Sequence, residues 1–404
     1  MNKIEGGVCA AKGFTAAGVH CGVKPGSTKN DLALIYCDSD CTAAAVYTLN
    51  RVKAAPIYTT MEHLEDGHAR AIVANSGNAN ACAPGGAENA DKMCTFAAEA
   101  LGLSPQEVLV ASTGVIGQPL NLEAIRRGMP LAKAALSREG SSDANLAVMT
   151  TDTVRKEAAV AFTLGGRKVS MGAIAKGSGM IHPNMGTMLC FITTDCAITS
   201  DLLHEALSEV VKRTFNRVSV DGDTSTNDMV TVLASGQAGN PLIEWKDTDY
   251  SVFLDALTAL CRDISKAIAR DGEGASRLVT CVVKNARSEE SAERLAKAVV
   301  SSSLVKAAMF GADANWGRVL CAMGYSKAPF RPEYVDMAFS SPAGRVAVCQ
   351  KGAGLDFDED LAKTVLTQDE VVIEVDLNEG DSQAECWGCD LTYDYVKING
   401  DYRT

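Results

Sequence analysis

Short apolar runs of strand length alternate with amphipathic helical patterns along the whole chain of 404 residues. This alternation, without an internal repeat, predicts a mixed α/β or α+β protein. Buried strands are predicted at 31–36, 70–74, 107–111, 345–349, 371–375 and 391–398, and helices at about 86–102, 122–137, 203–216, 252–270 and 289–301.

The charge balance and the distribution of apolar residues limit the partners that we expect. The chain has 50 acidic and 38 basic residues, a formal net charge of −12, which argues against a general binder of nucleic-acid backbones. No apolar run reaches the roughly 18 residues of a membrane helix, and the start MNKIEGGVCAAKGF lacks the apolar core of a signal peptide. We therefore expect a cytoplasmic protein without a nucleic-acid or membrane partner.

The 14 cysteines raise the alternative of a metal-binding or assembly protein. Cys386 and Cys389 form a CxxC pair and Cys37 and Cys41 a CxxxC pair, so one pair from each end of the chain could supply a zinc site. The five histidines, however, lie at no ligand spacing to one another. We expect free, mostly buried thiols in a reducing compartment and no metal.

A Gly- and Met-rich segment within 164–200 runs directly into the apolar stretch MLCFITT. Thr187 stands at this junction, directly after Gly186, and its hydroxyl could attack the Gly186 carbonyl and cleave the chain. Cleavage would give Thr187 a free α-amine with a reference pKa of about 7.7–8.0, suited to act as base for the hydroxyl of the same residue. A threonine at this position is also an ordinary strand residue, so the pattern alone leaves both interpretations open.

Ten motifs spread along the chain resemble one known family. They are GVCAAKGFTAAGVHCGVK (7–24), CTAAAVYTLNRVKAAPI (41–57), ANSGNANAC (74–82), ASTGVIG (111–117), MTTDTVRK (149–156), KGSGMIHPNMGTMLCFITTD (176–195), VDGDTSTND (220–228), ARDGEGASR (269–277), GADANWGR (311–318) and DYVKINGDYRT (394–404). In this order they resemble the ornithine acetyltransferases, the N-acetylornithine:glutamate acetyltransferases of cyclic arginine biosynthesis.

The resemblance implies a fold and a division of the chain. The expected fold is α/β (α+β), an αββα-type layered sandwich resembling the N-terminal-nucleophile amidohydrolases, with a second smaller α/β domain. One precursor is expected to give an α chain (1–186) and a β chain (187–404), which assemble as an α2β2 heterotetramer.

The resemblance also assigns roles to individual residues. Thr187 matches the nucleophile that becomes the new amino terminus after cleavage between Gly186 and Thr187. Thr113 and Gly114 match an oxyanion hole made of a hydroxyl and a backbone N–H. The implied substrate contacts are Thr150, Lys176, Thr187, Glu273, Asn399 and Thr404.

The implied activity is acetyl transfer from N2-acetylornithine to glutamate through an acetyl-threonine intermediate, with no metal or organic cofactor. Some members of the family also accept acetyl-CoA as the acetyl donor, and we expect the same of this chain. The alternative is a self-cleaved aminopeptidase or amidase, which would pass the acyl group to water instead.

Three positions depart from the family pattern: Gly186 stands where Ala is common, His182 where a small residue is usual, and Arg155 where Pro is usual. His182 either perturbs protonation of the site near neutral pH or is a tolerated loop residue, and we expect the latter. The carboxylate-rich loop 220–228 lacks the plan of an EF-hand, so we expect a polar loop near the site.

Overall fold

The structure is a computed structural model that describes residues 1–182 and 188–401. In these ranges the chain forms sixteen β-strands and eleven α-helices. The strands are β1 (Asn2–Ile4), β2 (Phe14–Val19), β3 (Leu32–Tyr47), β4 (His68–Asn75), β5 (Val108–Ser112), β6 (Lys156–Leu164), β7 (Arg167–Lys176), β8 (Leu189–Thr194), β9 (Val218–Ser219), β10 (Met229–Ala234), β11 (Leu278–Ala286), β12 (Asp336–Ser341), β13 (Gly344–Gln350), β14 (Ala353–Gly354), β15 (Glu370–Asp376) and β16 (Ser382–Cys389). The helices are α1 (Ala55–His63), α2 (Gly86–Leu101), α3 (Leu122–Ala135), α4 (Ser141–Val148), α5 (Ser200–Arg213), α6 (Thr248–Arg270), α7 (Glu289–Ser301), α8 (Ser303–Phe310), α9 (Trp316–Gly324), α10 (Glu359–Leu366) and α11 (Tyr393–Asp401).

The larger sheet has nine strands, in the order β1-β6-β7-β8-β10-β3-β4-β5 with β2 also paired to β3. The long strand β3 joins its two halves, because the first part of β3 pairs with β2 and β4 and the second part pairs with β10. The register against β4 shifts between Tyr36 and Cys41, and pairing with β10 begins just after it, at Thr42.

The two halves of this sheet are stacked face to face. Adjacent residues of a strand point to opposite faces, and β8 and β4 illustrate this. Ile192 belongs to a buried cluster with α5 and α6, whereas its neighbour Phe191 shares a cluster with Ile72 of β4. Val73, the next residue of β4, packs with α2 and α3. The layers therefore follow the order helix, strand, strand, helix, which confirms the expected αββα sandwich.

Strands β8 and β10 lie side by side between β7 and the second part of β3. Leu189 of β8 is opposite Lys176 of antiparallel β7 and opposite Met229 of parallel β10. A division between residues 186 and 187 would assign β7 and β3 to the first chain and β8 and β10 to the second. The division remains a prediction, because residues 183–187 lie outside the described residues.

The second sheet has seven strands in the order β14-β13-β12-β15-β11-β16-β9. Its core is a separate buried cluster that includes Leu295 of α7, Met309 of α8, Met323 of α9 and Val365 of α10. Helix α6 packs against β6 of the first sheet and β16 of the second. This unit is the second, smaller α/β domain that the resemblance implies.

One predicted element is wrong. The segment 391–398, predicted as a strand, begins after β16 and instead forms most of α11 (Tyr393–Asp401). Among the described residues, no helix is both long and apolar enough to cross a bilayer.

Candidate active site

A cavity at one end of the sandwich collects six of the nine candidate residues. Its lining comes from six separate parts of the chain, which follow β5, α4, β7 and α6, precede β10, and lie in α11. The candidate residues that line it are Thr113, Gly114, Thr150, Lys176, Glu273 and Asn399. The other lining residues are Ile116, Thr151, Gly179, Met180, Ser225, Thr226 and Asn227, of which the last three belong to the polar loop expected near the site.

Three candidate positions, Gly186, Thr187 and Thr404, lie outside the described residues, so their roles remain predictions. The described chain resumes at Met188, which is buried and whose carbonyl accepts a hydrogen bond of 2.8 Å from the Met229 amide. The residue covalently attached to Thr187 is thus fixed between β7 and β10, next to the cavity-lining Lys176.

The Thr113–Gly114 turn follows β5 and has a tightly constrained backbone. Gly114 has φ +132, and a Cβ there would lie 2.5 Å from the Asn78 nitrogen, so only glycine fits. The Thr113 amide donates to the Asn75 carbonyl at 3.0 Å. Within 1–182 and 188–401, no protein oxygen accepts from the Gly114 amide. A rigid turn with an uncommitted N–H is the arrangement that an oxyanion hole needs.

Asn227 fastens this turn to the loop that precedes β10. Its side-chain amide donates to the carbonyl of Ala79 at 2.6 Å and to that of Ser112 at 2.8 Å. Neighbouring Ser225 and Thr226 line the cavity. The sequence-based expectation of a polar loop near the site, at 220–228, therefore agrees with its position in the fold.

Lys176 is the last residue of β7, and its side chain is buried. Burial lowers the pKa of the Lys176 ammonium, whereas the negative charge of Asp152 opposes this shift. Asp152 Oδ1 accepts a hydrogen bond of 2.7 Å from the amide of Gly177, the residue after Lys176. A buried ammonium group with a fixed countercharge nearby is suited to bind a carboxylate.

Glu273 and Asn399 also line the cavity. The Asn399 side-chain amide donates to Glu273 Oε2 at 2.7 Å, and the Glu273 amide donates to the Ser178 carbonyl at 3.0 Å. The Glu273 carboxylate lies so close to Gly179 that a Cβ on that residue would overlap it. The Glu273 carboxylate can also accept from an ammonium group of a substrate.

The segment before residue 183 is held by Asp221. Its carboxylate accepts from the consecutive amides of Met180 (2.6 Å) and Ile181 (2.9 Å), and Met180 adopts φ 56, in the left-handed region. Thr224 donates to the His182 carbonyl at 2.7 Å. The polar loop thus fixes the chain up to the last described residue before the predicted cleavage position.

His182 is partly buried, with Nδ1 3.0 Å from Ser219 Oγ. Burial, together with the positive charge of Lys297, lowers the pKa of His182 to about 4. The imidazole is therefore neutral near pH 7. This favours the expectation that His182 is a tolerated loop residue and not a group that changes its charge near neutral pH.

The fourteen cysteines are all free thiols. In the CxxC pair, burial raises the pKa of Cys386 to about 12, which keeps the thiol protonated near pH 7. Among the described residues, no three His, Cys, Asp or Glu side chains are grouped to hold a metal ion.

Comparison with known proteins identifies close relatives. The family model described as "ArgJ family" matches residues 15–404. A Clostridium acetobutylicum protein named arginine biosynthesis bifunctional protein ArgJ 1 is 53% identical over 392 residues, 97% of this chain and 96% of the relative. A Symbiobacterium thermophilum protein named arginine biosynthesis bifunctional protein ArgJ is 52% identical over 406 residues, 100% of both chains. A crystal structure of arginine biosynthesis bifunctional protein ArgJ from Bacillus halodurans is 44% identical with a TM-score of 0.50, covering 52% of this chain and 98% of the solved one.

Proposed function

The chain belongs to the ArgJ family, and from this premise we propose that it transfers the acetyl group of N2-acetylornithine to glutamate in arginine biosynthesis. The observation that carries the proposal is the convergence of Thr113, Gly114, Lys176, Glu273 and Asn399 on one cavity, although they are spread over the length of the chain. These groups provide what an acetylated amino acid requires: donors for an oxyanion, a cation for the α-carboxylate and an acceptor for an amine.

The proposed first half-reaction acetylates Thr187. After cleavage from Gly186, the Thr187 hydroxyl attacks the acetyl carbonyl while the α-amine of the same residue accepts the hydroxyl proton. Negative charge develops on the carbonyl oxygen, where the Thr113 hydroxyl and the Gly114 N–H stabilise it. Collapse of the tetrahedral intermediate transfers the proton to the leaving nitrogen and releases ornithine, leaving acetyl-Thr187.

The second half-reaction uses the same groups in reverse. The α-amine of glutamate attacks the acetyl ester, and N-acetylglutamate leaves as the Thr187 hydroxyl is restored. Both substrates share an amino-acid frame, so Lys176 can hold the α-carboxylate in each half-reaction. Thr150, Asn399 and Thr404 supply the remaining proposed contacts. The scheme uses protein groups alone and calls for no cofactor.

We propose acetyl-CoA as a second acetyl donor, because the relatives from Clostridium acetobutylicum and Symbiobacterium thermophilum are named bifunctional proteins. We also propose the cytoplasm as its location, since fourteen free cysteines suit a reducing compartment.

We further propose that the enzyme consists of an α chain (1–186) and a β chain (187–404), paired as α2β2. Pairing of β7 with β8 supports this, because backbone hydrogen bonds would hold the two chains together after cleavage. The Bacillus halodurans chain also matches only about half of this chain, as expected if that protein consists of two polypeptides.

The first test is the intact mass of purified protein under denaturing conditions. Two masses that correspond to 1–186 and 187–404 support the proposed nucleophile. Thr187→Ala should give one uncleaved, inactive chain, whereas Thr187→Ser retains a hydroxyl and should still cleave. An uncleaved wild-type protein would contradict the proposal.

The second test separates transfer from hydrolysis. Cleaved protein is mixed with N2-acetylornithine, and N-acetylglutamate and free acetate are measured with and without glutamate. Glutamate-dependent formation of N-acetylglutamate supports the transferase. Release of acetate at the same rate with or without glutamate would instead favour the amidase alternative.

A further inference from the structure

The turn that carries Thr113 and Gly114 and the strand that follows Thr187 lie in different halves of the larger sheet. In the strand order β8-β10-β3-β4-β5, two strands separate β5, which leads into the turn, from β10, which pairs with β8. An oxyanion hole works only if its donors lie close to the position of the developing negative charge. A direct link between the turn and the β8–β10 pair would fix this spacing.

Asn227 provides such a link. Its side-chain amide donates to the carbonyls of Ser112 at 2.8 Å and Ala79 at 2.6 Å. Ser112 lies two residues before Gly114, and Ala79 directly follows residues 77–78, which leave no room for a side chain on Gly114. One side chain therefore holds both of the segments that surround Gly114.

Asn227 is also connected to the segment that follows Thr187. It lies two residues before Met229, whose amide donates to the Met188 carbonyl at 2.8 Å. Met188 is covalently attached to Thr187. In the proposed two-chain enzyme, Ser112 belongs to the α chain, whereas Asn227 and Met188 belong to the β chain. The hydrogen bonds of Asn227 therefore cross from one proposed chain to the other.

Thr226 fixes the orientation of the Asn227 amide. Backbone carbonyls only accept hydrogen bonds, so the atom that contacts Ser112 and Ala79 must be the amide nitrogen. The side-chain oxygen of Asn227 must then accept, and the Thr226 hydroxyl donates to it at 2.6 Å. Asn227 and Thr226 are 7% and 8% exposed, so a broken hydrogen bond here would leave a buried polar group without a partner.

We propose that Asn227 is a positioning residue, which sets the spacing between the oxyanion hole of the α chain and the nucleophile of the β chain, and that Thr226 holds its amide in the required orientation. The proposal rests on the proposed acetyl transfer and deepens it, because it identifies what keeps the two parts of the active site aligned after cleavage.

The test is Asn227→Asp, which keeps the size of the side chain but replaces the donating nitrogen with an oxygen. The carbonyls of Ser112 and Ala79 would then face an acceptor, so the turn should move away from β10. Misplaced catalytic groups can cost about 10²-fold in rate, and we expect kcat of the cleaved fraction to fall by this factor. KM for N2-acetylornithine should change by less than about threefold, because an oxyanion hole acts mainly on the transition state.

Asn240→Asp is the matched control. Asn240 is also buried, its side-chain oxygen accepts from the Ala197 amide at 2.9 Å, and its nitrogen donates to the carbonyls of Ala197 at 3.2 Å and Pro241 at 2.7 Å. It is not among the described residues that line the cavity. We expect a comparable fall in Tm, with kcat and KM close to those of wild type.

Thr226→Val and Thr226→Ser test the orientation of the amide. Valine has the shape of threonine without its hydroxyl, so Asn227 loses its donor and kcat should fall about tenfold. Serine keeps a hydroxyl and should restore most of this loss. Both variants retain the nitrogen that binds Ser112 and Ala79, so the difference between them reports on the donor alone.

Each outcome decides one question. A wild-type kcat in Asn227→Asp, an equal fall in Asn240→Asp, or a rise in KM at unchanged kcat would overturn the role of Asn227. If either aspartate variant yields no cleaved protein, the Thr226 pair decides, and equal kcat values for valine and serine would refute the proposal. Absence of acetyl transfer by cleaved wild type would instead refute the proposed function.

Discussion

At the scale of single residues, Gly114 shows how the fold can restrict one backbone position to glycine. Its φ of +132 and the proximity of Asn78 leave no room for a side chain. A glycine in a short STG motif is usually interpreted as a turn residue, because the motif contains nothing that distinguishes a turn from an oxyanion hole. The constraint that admits only glycine comes from residues 77–78, which approach Gly114 only in the folded protein.

Gly114→Ala should displace this turn and with it the N–H that is proposed to stabilise the oxyanion. We expect kcat of the cleaved fraction to fall by about 10²–10³, the usual effect of losing one such donor. Initial rates of N-acetylglutamate formation would measure this. Gly324→Ala, at an open position of α9 where a Cβ meets no atom within 4 Å, is the control and should retain full activity.

His182 should contribute to the acid sensitivity of the fold. Burial and Lys297 lower the pKa of His182 to about 4 in the folded protein, compared with about 6.5 for an unfolded chain. The unfolded state then binds more protons between these values, so stability present above pH 6.5 is lost as the pH falls toward 4. His182→Gln should reduce the drop in Tm over this interval, and an unchanged drop would contradict the assignment.

The candidate residues in motifs could be identified from the sequence, whereas the residues that hold them in place could not. Lys156, for example, is surrounded by ordinary polar residues in MTTDTVRK, and nothing local distinguishes it from a solvated lysine. Its burial depends on Asp271, which is 115 positions away. Long-range ion pairs leave no periodicity in the sequence.

Among the secondary-structure elements, α11 differs most from its prediction. The stretch 391–398 is rich in Tyr, Val and Ile, a composition that favours strands. In the fold this segment forms a helix that buries no residue, so packing of an apolar face does not select its conformation. Contacts at its two ends hold the helix in place instead. The Thr392 hydroxyl donates to the Gly274 carbonyl at 2.6 Å, and the Asn399 side-chain amide donates to Glu273.

Helix α11 should therefore contribute more to substrate binding than to stability. Asn399→Asp would replace the donor to Glu273 Oε2 with a carboxylate and set two like charges against each other. We expect KM for N2-acetylornithine to rise about tenfold, by analogy with the loss of a charge-assisted hydrogen bond. Tm should remain close to that of wild type. A large fall in Tm would show that α11 is structurally essential.

Strand β3 is longer than its prediction for a physical reason. The sequence indicates a strand at 31–36, where the apolar run ends at Asp38, Ser39 and Asp40. The structure continues the strand through these polar residues to Tyr47, because they occupy a register shift within the pairing with β4, which resumes at Cys41 before β10 becomes the partner. An apolar run marks the buried parts of a strand and not its ends.

At the scale of the whole molecule, the four-layer fold follows from the family resemblance more than from the pattern of strands and helices, which allows many arrangements. The stacking of the two halves is seen in β4 and β8, where adjacent side chains point to opposite faces of the strand and pack in different clusters. This alternation becomes informative only once the partner strands are known. The position of β8 and β10 between strands from the first 186 residues is likewise a property of topology alone.

The two proposed chains should remain associated after cleavage. Each β7–β8 and β10–β3 pairing joins residues from opposite sides of position 186/187, so separation would break both ladders and open the buried cluster between the layers. Gel filtration without denaturant should give one peak that contains both chains in equal amounts. Two separate peaks would contradict this expectation.

The arrangement of β8 and β10 also sets an order of events during synthesis. A ribosome that has made the first 186 residues has produced β7 and β3 but neither of the strands that lie between them. Both strands would then present unpaired edges, the kind of surface that promotes aggregation. The sheet can close only after residue 234 has emerged, so the precursor must remain continuous until then. The proposed self-cleavage would therefore follow folding, and the two halves expressed from separate genes should be poorly recovered unless they are made together.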